Sequence, residues 1–126
     1  MLTAIIVGDY DLAEALEHHL KLLNIKTVAR GRNGMEAFDL YRAYEPDFVY
    51  LDASMPIFDG FVVEKIRKQY PLARIIMMTA DRSYETKQRL SCLGITEILY
   101  KPIEPQMLKN IIGIEQFKAI TFGVAH

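Results

Sequence analysis

One cysteine, Cys92, and no tryptophan occur in the chain. A lone cysteine excludes an intrachain disulfide framework and a cysteine-based zinc cluster. Charge of one sign is also missing. Fifteen basic residues face sixteen acidic ones, a formal net charge of −1. Such a balance predicts no broad attraction to nucleic acid or to an anionic membrane surface. Long apolar runs are absent too. The N-terminal run Leu2 to Val7 ends at Asp9 and is too short for a signal-peptide core or a membrane span. No linker, low-complexity segment or internal repeat interrupts the 126 residues. A reducing, cytoplasmic setting, no membrane and no direct nucleic-acid contact are therefore expected.

What is present is a rhythm of short apolar run, turn and amphipathic stretch. The runs are Ala4–Val7, Thr27–Ala29, Phe48–Leu51, Ile75–Met78 and Ile98–Tyr100. Most lack polar alternation, as strands covered on both faces of a parallel sheet do. Between them, Leu12, Ala15, Leu16, Leu20 and Leu23 recur at helical spacing, with Asp11 and Glu14 three apart as a candidate capping box. Asn33-Gly34 precedes a second helical pattern closed by Glu45-Pro46, and Asp59-Gly60 a third closed by Tyr70-Pro71. We read Asp59 as the third helix's N-cap. Ser83 opens a fourth pattern ending near Gly94, and Pro105 a fifth. Five strands alternating with five helices predict an α/β domain with right-handed crossovers.

In open sheets of this kind, ligands sit beyond the carboxyl ends of the strands. The residues at those ends are Gly8-Asp9, Asp52, Thr79-Ala80 and Lys101-Pro102. Parallel strands would bring together two carboxylates, a hydroxyl and an ammonium. Few carboxylates and no softer ligands suit Mg²⁺, which keeps several waters and shares them with phosphate. A lysine answers remaining phosphoryl charge as a point charge, and a threonine hydroxyl hydrogen-bonds a phosphoryl oxygen. One carboxylate is then placed to act as a nucleophile, giving an aspartyl phosphate.

The segment Asp52-Ala53-Ser54-Met55-Pro56-Ile57-Phe58-Asp59-Gly60 resembles the phosphoacceptor segment of response-regulator receiver domains of two-component signalling. Ile75-Ile76-Met77-Met78-Thr79-Ala80 and Tyr100-Lys101-Pro102 resemble the family's other two signatures, in the same order. The resemblance implies a single flavodoxin-like (βα)5 domain over residues 1–126 with strand order 2-1-3-4-5, its core at about 3–119 and an apolar tail behind it. It makes Asp52 the phosphoacceptor, Asp9 a direct Mg²⁺ ligand together with Asp52, and the backbone carbonyl of Ser54 a further ligand. Thr79 would contact the phosphoryl group and move on activation, and Lys101 would pair with the acceptor. Partners implied are a histidine kinase or phosphotransfer protein, a downstream protein, and a second copy of the chain. The face made by the fourth helix, fifth strand and fifth helix would change for them. No enzyme with an independent substrate is implied, only Mg²⁺-assisted gain and loss of the phosphoryl group.

Two departures stand out. Gly8 occupies the first of two positions that are usually acidic, a change expected to weaken metal binding by ~10–100-fold. Ile98 occupies the place of an aromatic switch residue, and Tyr100, two positions on, does not replace it. Both departures favour a second reading, a pseudo-receiver that binds partners without phosphorylation. An aspartyl-phosphate phosphatase needs a second aspartate where Ser54 stands. A flavin-binding protein needs a phosphate-cradling loop that the first turn lacks.

The remaining candidates read as structural. His18 and His19 read as a solvated helix face, Cys92 as a small buried hydrophobe, and Met77 and Met78 as core. Arg82, Lys87 and Arg89 form either a soluble helix face or part of a partner surface. Ile111, Ile112, Ile114, Phe117, Ile120 and Phe122 make the terminus unusually apolar, read either as a long fifth helix or as an exposed strip for a partner.

Overall fold

The short apolar runs become strands because Ile, Val, Phe, Tyr and Met fill a surface covered on both sides. The structure is a computed structural model that describes residues 1–54, 60–95 and 97–113. Its elements in order are β1 (Leu2–Val7), α1 (Tyr10–Leu22), β2 (Ile25–Gly31), α2 (Gly34–Tyr44), β3 (Phe48–Asp52), α3 (Gly60–Gln69), β4 (Ile75–Thr79), α4 (Tyr84–Cys92), β5 (Glu97–Tyr100) and α5 (Pro105–Ile112). The strands pair in parallel in the order β2-β1-β3-β4-β5. This is the expected five-stranded flavodoxin-like topology, with the order reversing between β1 and β3.

Every residue of β3 and β4 is buried, which accounts for their lack of polar alternation. Alternate residues feed two cores. Ile5, Val7, Val49, Leu51, Ile75 and Met77 pack with residues of α2, α3 and α4. Ala4, Ile6, Phe48, Tyr50, Ile76 and Met78 pack with residues of α1 and α5. Burying each such aliphatic side chain contributes ~1.5–3 kcal/mol, so the central strands anchor the carboxyl edge from which the polar loops spring.

The helix ends follow local chemistry, with one correction. Asp9, not the expected Asp11, caps α1, its side chain accepting from the Leu12 N–H at 2.8 Å. Glu14 does not close a box there; it pairs with Arg30 at 3.0 Å. Asn33 caps α2 by accepting from the Glu36 N–H at 3.1 Å, and Ser83 caps α4 by accepting from Thr86. Replacing Asn33 with Ala is expected to cost ~1 kcal/mol, read as a lowered urea midpoint with an unchanged slope. Strand β2 runs longer than the apolar residues predicted, to Gly31. It carries a register shift opposite Ala4/Ile5, as an edge strand tolerates. Cys92, read as buried, is exposed at the end of α4. Asp59 and the apolar residues from Ile114 onward lie outside the described residues.

Candidate functional site

Three backbone bonds tie the loops to the carboxyl edge of the sheet. Gly8 N–H donates to Gly31 O at 3.0 Å, Ala53 N–H to Met78 O at 2.9 Å, and Lys101 N–H to Thr79 O at 2.9 Å. They fix where Asp52, Thr79 and Lys101 leave the sheet. Asp52 is the last residue of β3 and only 1% exposed. Its Oδ1 accepts from Lys101 Nζ at 2.8 Å, from the Ser54 N–H at 3.0 Å and from Ser54 Oγ at 2.8 Å. Lys101 Nζ also reaches Ser54 Oγ at 3.3 Å. A buried carboxylate needs such donors, because an uncompensated charge there is costly.

The other oxygen, Oδ2, lies toward Gly8, 3.4 Å from where a Cβ at that position would stand. Asp52 borders a cleft of 590 Å³ whose walls include Gly8, Asp9, Tyr10, Arg30, Arg32 and Ser54. Among the described residues, three bonds to the Asp52 carboxylate converge on Oδ1, and Oδ2 lies toward Gly8. Asp9 stands on the same cleft, although its Oδ1 also holds the start of α1.

The absence of a side chain at Gly8 is more than a missing acid. A Cβ there would approach Asp52 Cβ to 3.0 Å, so the end of β1 lies tight against Asp52. Gly8→Ala is expected to lose ~1–2 kcal/mol by overpacking against β3, measured by chemical denaturation. An unchanged midpoint would show that the two strands separate without strain.

Thr79 ends β4, and its Oγ1 accepts from the Asp81 N–H at 3.0 Å. That hydroxyl keeps its own proton to donate. The Asp81 carboxylate accepts from Thr86 Oγ1 at 2.6 Å and from the Ser83 N–H at 2.8 Å. These bonds, Thr86 foremost, hold the Asp81 carboxyl below its ordinary range. This contribution is present above about pH 4 and is lost as pH falls through the depressed value. Ile98 packs against the α2–α4 side of the core as a space-filler, and Arg82 stacks on the Tyr100 ring at 4.5 Å.

The sequence reading anticipated Asp9, Asp52, Ser54, Thr79 and Lys101, and the fold brings them to one edge. It missed the Ser54 hydroxyl as a donor, the Asp81–Thr86 link and the cleft wall from β2. Asp81 was legible as an acid two residues after Thr79. The β2 wall was not, because nothing local in Arg30 or Arg32 marks them as lining a cleft beside Asp52.

A flavodoxin-like parallel sheet with an aspartate–lysine pair at its carboxyl edge defines the class. The description "Response regulator receiver domain" matches residues 4–113. The chain is 29% identical over 103 residues to the chemotaxis protein CheY of Halobacterium salinarum, covering 81% of this chain and 82% of that one. It is 35% identical over 82 residues to the transcriptional regulatory protein LnrK of Bacillus subtilis, covering 63% of this chain but 37% of LnrK. It likewise spans only 40% of the ycf29 regulator of Porphyra purpurea. Among solved structures, the chemotaxis protein CheY4 of Vibrio cholerae superposes with a TM-score of 0.80 at 27% identity, covering 89% and 96% of the two chains. The chain belongs to the response-regulator receiver domain family of two-component signalling.

The expectation of no direct nucleic-acid contact is corrected at this point. The receiver domain of a regulator titled DNA-binding, from Colwellia psychrerythraea, superposes with a TM-score of 0.77 at 25% identity, covering 89% and 95% of the two chains. Near-neutral charge describes the field of this domain alone, and family members occur in proteins described as binding DNA. No described helix is long and apolar enough to cross a membrane.

Proposed function

We propose that this receiver accepts a phosphoryl group on Asp52 from a histidine kinase or phosphotransfer protein and relays the change to a downstream protein. The observation that carries this is the asymmetry of the carboxylate. Oδ1 is held by Lys101 and Ser54, and Oδ2 lies toward Gly8, which with Asp52 lines the cleft.

Asp52 Oδ2 attacks phosphorus, the Oδ2–P bond forms, and the bond to the donor's leaving atom breaks with its electron pair. Lys101 moves its charge from the carboxylate to a phosphoryl oxygen, and Thr79 donates its hydroxyl proton to another. Asp9, Asp52 and the Ser54 carbonyl, all oxygen donors at one edge, fit a hard divalent cation that retains several waters. Bound Mg²⁺ supplies charge neutralisation for the phosphoryl oxygens. The group is later lost to water, so the domain is a timed acceptor rather than an enzyme with its own substrate.

Incubation with acetyl phosphate and Mg²⁺ should add one phosphoryl group by intact mass. Asp52→Asn and EDTA should each abolish it. No adduct in wild type across a broad Mg²⁺ titration would overturn this reading.

A further inference from the structure

The cleft beside Asp52 has a second wall, contributed by the end of β2, and that wall carries charge. Arg30 is committed. Its Nη1 meets Glu14 at 3.0 Å, its Nε meets Glu17 at 3.0 Å, and it lies over the Tyr10 ring at 5.8 Å. Arg32 differs. Its side chain is 89% exposed, and its salt bridge, Nε to Glu36 at 3.7 Å, is long. The Arg32 backbone N–H, not its guanidinium, takes the close bond to Glu36 at 3.2 Å. An exposed pair at that distance holds a guanidinium weakly. Because Gly8 has no side chain, nothing at that position screens Asp52 Oδ2 from the cleft that Arg32 lines.

We propose that Arg32 is a specificity residue for the phosphodonor, favouring small anionic acyl phosphates over donors that release a neutral or cationic leaving group. This rests on Asp52 being the acceptor. Lys101 and Ser54 occupy the Oδ1 side, so a donor enters through the cleft and its leaving group remains on the cleft side. With acetyl phosphate, the P–O bond breaks and its electron pair leaves on acetate, so negative charge develops where Arg32 can meet it. With phosphoramidate, the P–N bond breaks from a protonated nitrogen and ammonia departs. Arg32 then stabilises nothing and opposes the cationic nitrogen. The guanidinium acts in the transition state of one donor only, which is what makes it selective.

The test is the ratio of phosphorylation rates with acetyl phosphate and phosphoramidate at saturating Mg²⁺ and low salt, for full-length wild type and three variants. Arg32→Gln should lower the acetyl phosphate to phosphoramidate ratio about three- to fivefold, the scale of an exposed charge contact. Arg32→Lys should keep most of it. Glu36→Gln, which retains an acceptor for the backbone N–H but removes the competing charge, should raise it. High salt should bring wild type toward Arg32→Gln. A ratio unchanged in Arg32→Gln, or equal losses with both donors, would overturn the assignment while leaving Asp52 as acceptor. Failure of wild type with both donors would remove the acceptor reading and this inference with it.

Discussion

A Lys101→Met chain should unfold about 2–3 kcal/mol more easily than wild type, and adding Asp52→Asn to it should recover most of that loss. The asymmetry comes from where the two charges sit. Asp52 is 1% exposed, whereas the Lys101 side chain is 25% exposed. Removing the lysine leaves a buried carboxylate with, among the described residues, the Ser54 donors alone. Breaking a fully buried pair from one side costs ~3–5 kcal/mol. Lys101 is partly solvated, and the two Ser54 bonds persist, so the cost falls at or below the bottom of that range. Neutralising Asp52 removes the charge that was stranded, and the amide still accepts from Ser54. Paired urea melts of the single and double variants decide it. A double variant no more stable than Lys101→Met alone would mean that the lysine supports the fold by packing of its stem, not by compensating the Asp52 carboxylate. In both variants the phosphoryl adduct should disappear, since one lacks the cation and the other also lacks the nucleophile.

Tyr50→Phe should stabilise the domain by about 1–2 kcal/mol. Tyr50 lies in the middle of β3 with no exposed surface, its ring 6.2 Å from that of Phe48. Its hydroxyl is buried without a hydrogen-bond partner among the described residues. A buried donor left unmade costs ~1–3 kcal/mol relative to an apolar group of the same shape. Burial also pushes the Tyr50 phenol above its ordinary range, so the folded state holds that proton more tightly than the unfolded chain does. Stability from this source is whole below about pH 10, where a free tyrosine begins to ionise. It falls as pH rises further, by at most ~1.4 kcal/mol per unit. Tyr41 is shifted the same way by burial. The difference between wild type and Tyr50→Phe therefore isolates Tyr50. The variant should keep more of its stability from pH 10 to 12, and parallel pH profiles would show that the hydroxyl has found a partner.

Strands β3 and β4 were legible because a strand buried on both faces must be apolar at every position. The helix starts at Asn33, Ser83 and Pro105 were legible because caps and first-turn prolines act within a few residues. The segment beginning at Asp52 and the Tyr100-Lys101-Pro102 segment were legible as family signatures. Where local signals competed, the reading slipped. Asp9 and Asp11 offered two starts for α1, and only the folded geometry gave the cap to Asp9. Cys92 was read from its residue type, but the helix presents that position to solvent.

By itself, then, the sequence determined the alternation of strands and helices, the parallel sheet and the placement of Asp9, Asp52, Thr79 and Lys101 at its carboxyl edge. Each of these is written in period, in turn chemistry or in a contiguous motif. Tertiary structure alone decided which oxygen of Asp52 takes the bonds from Lys101 and Ser54, how close Gly8 comes to it, and that Arg32 shares its cleft. These depend on strand order and on contacts between residues dozens of positions apart, such as the 2.8 Å bond from Lys101 to Asp52. No local pattern carries such distances, because they are set by how two buried strands and an edge strand pack together.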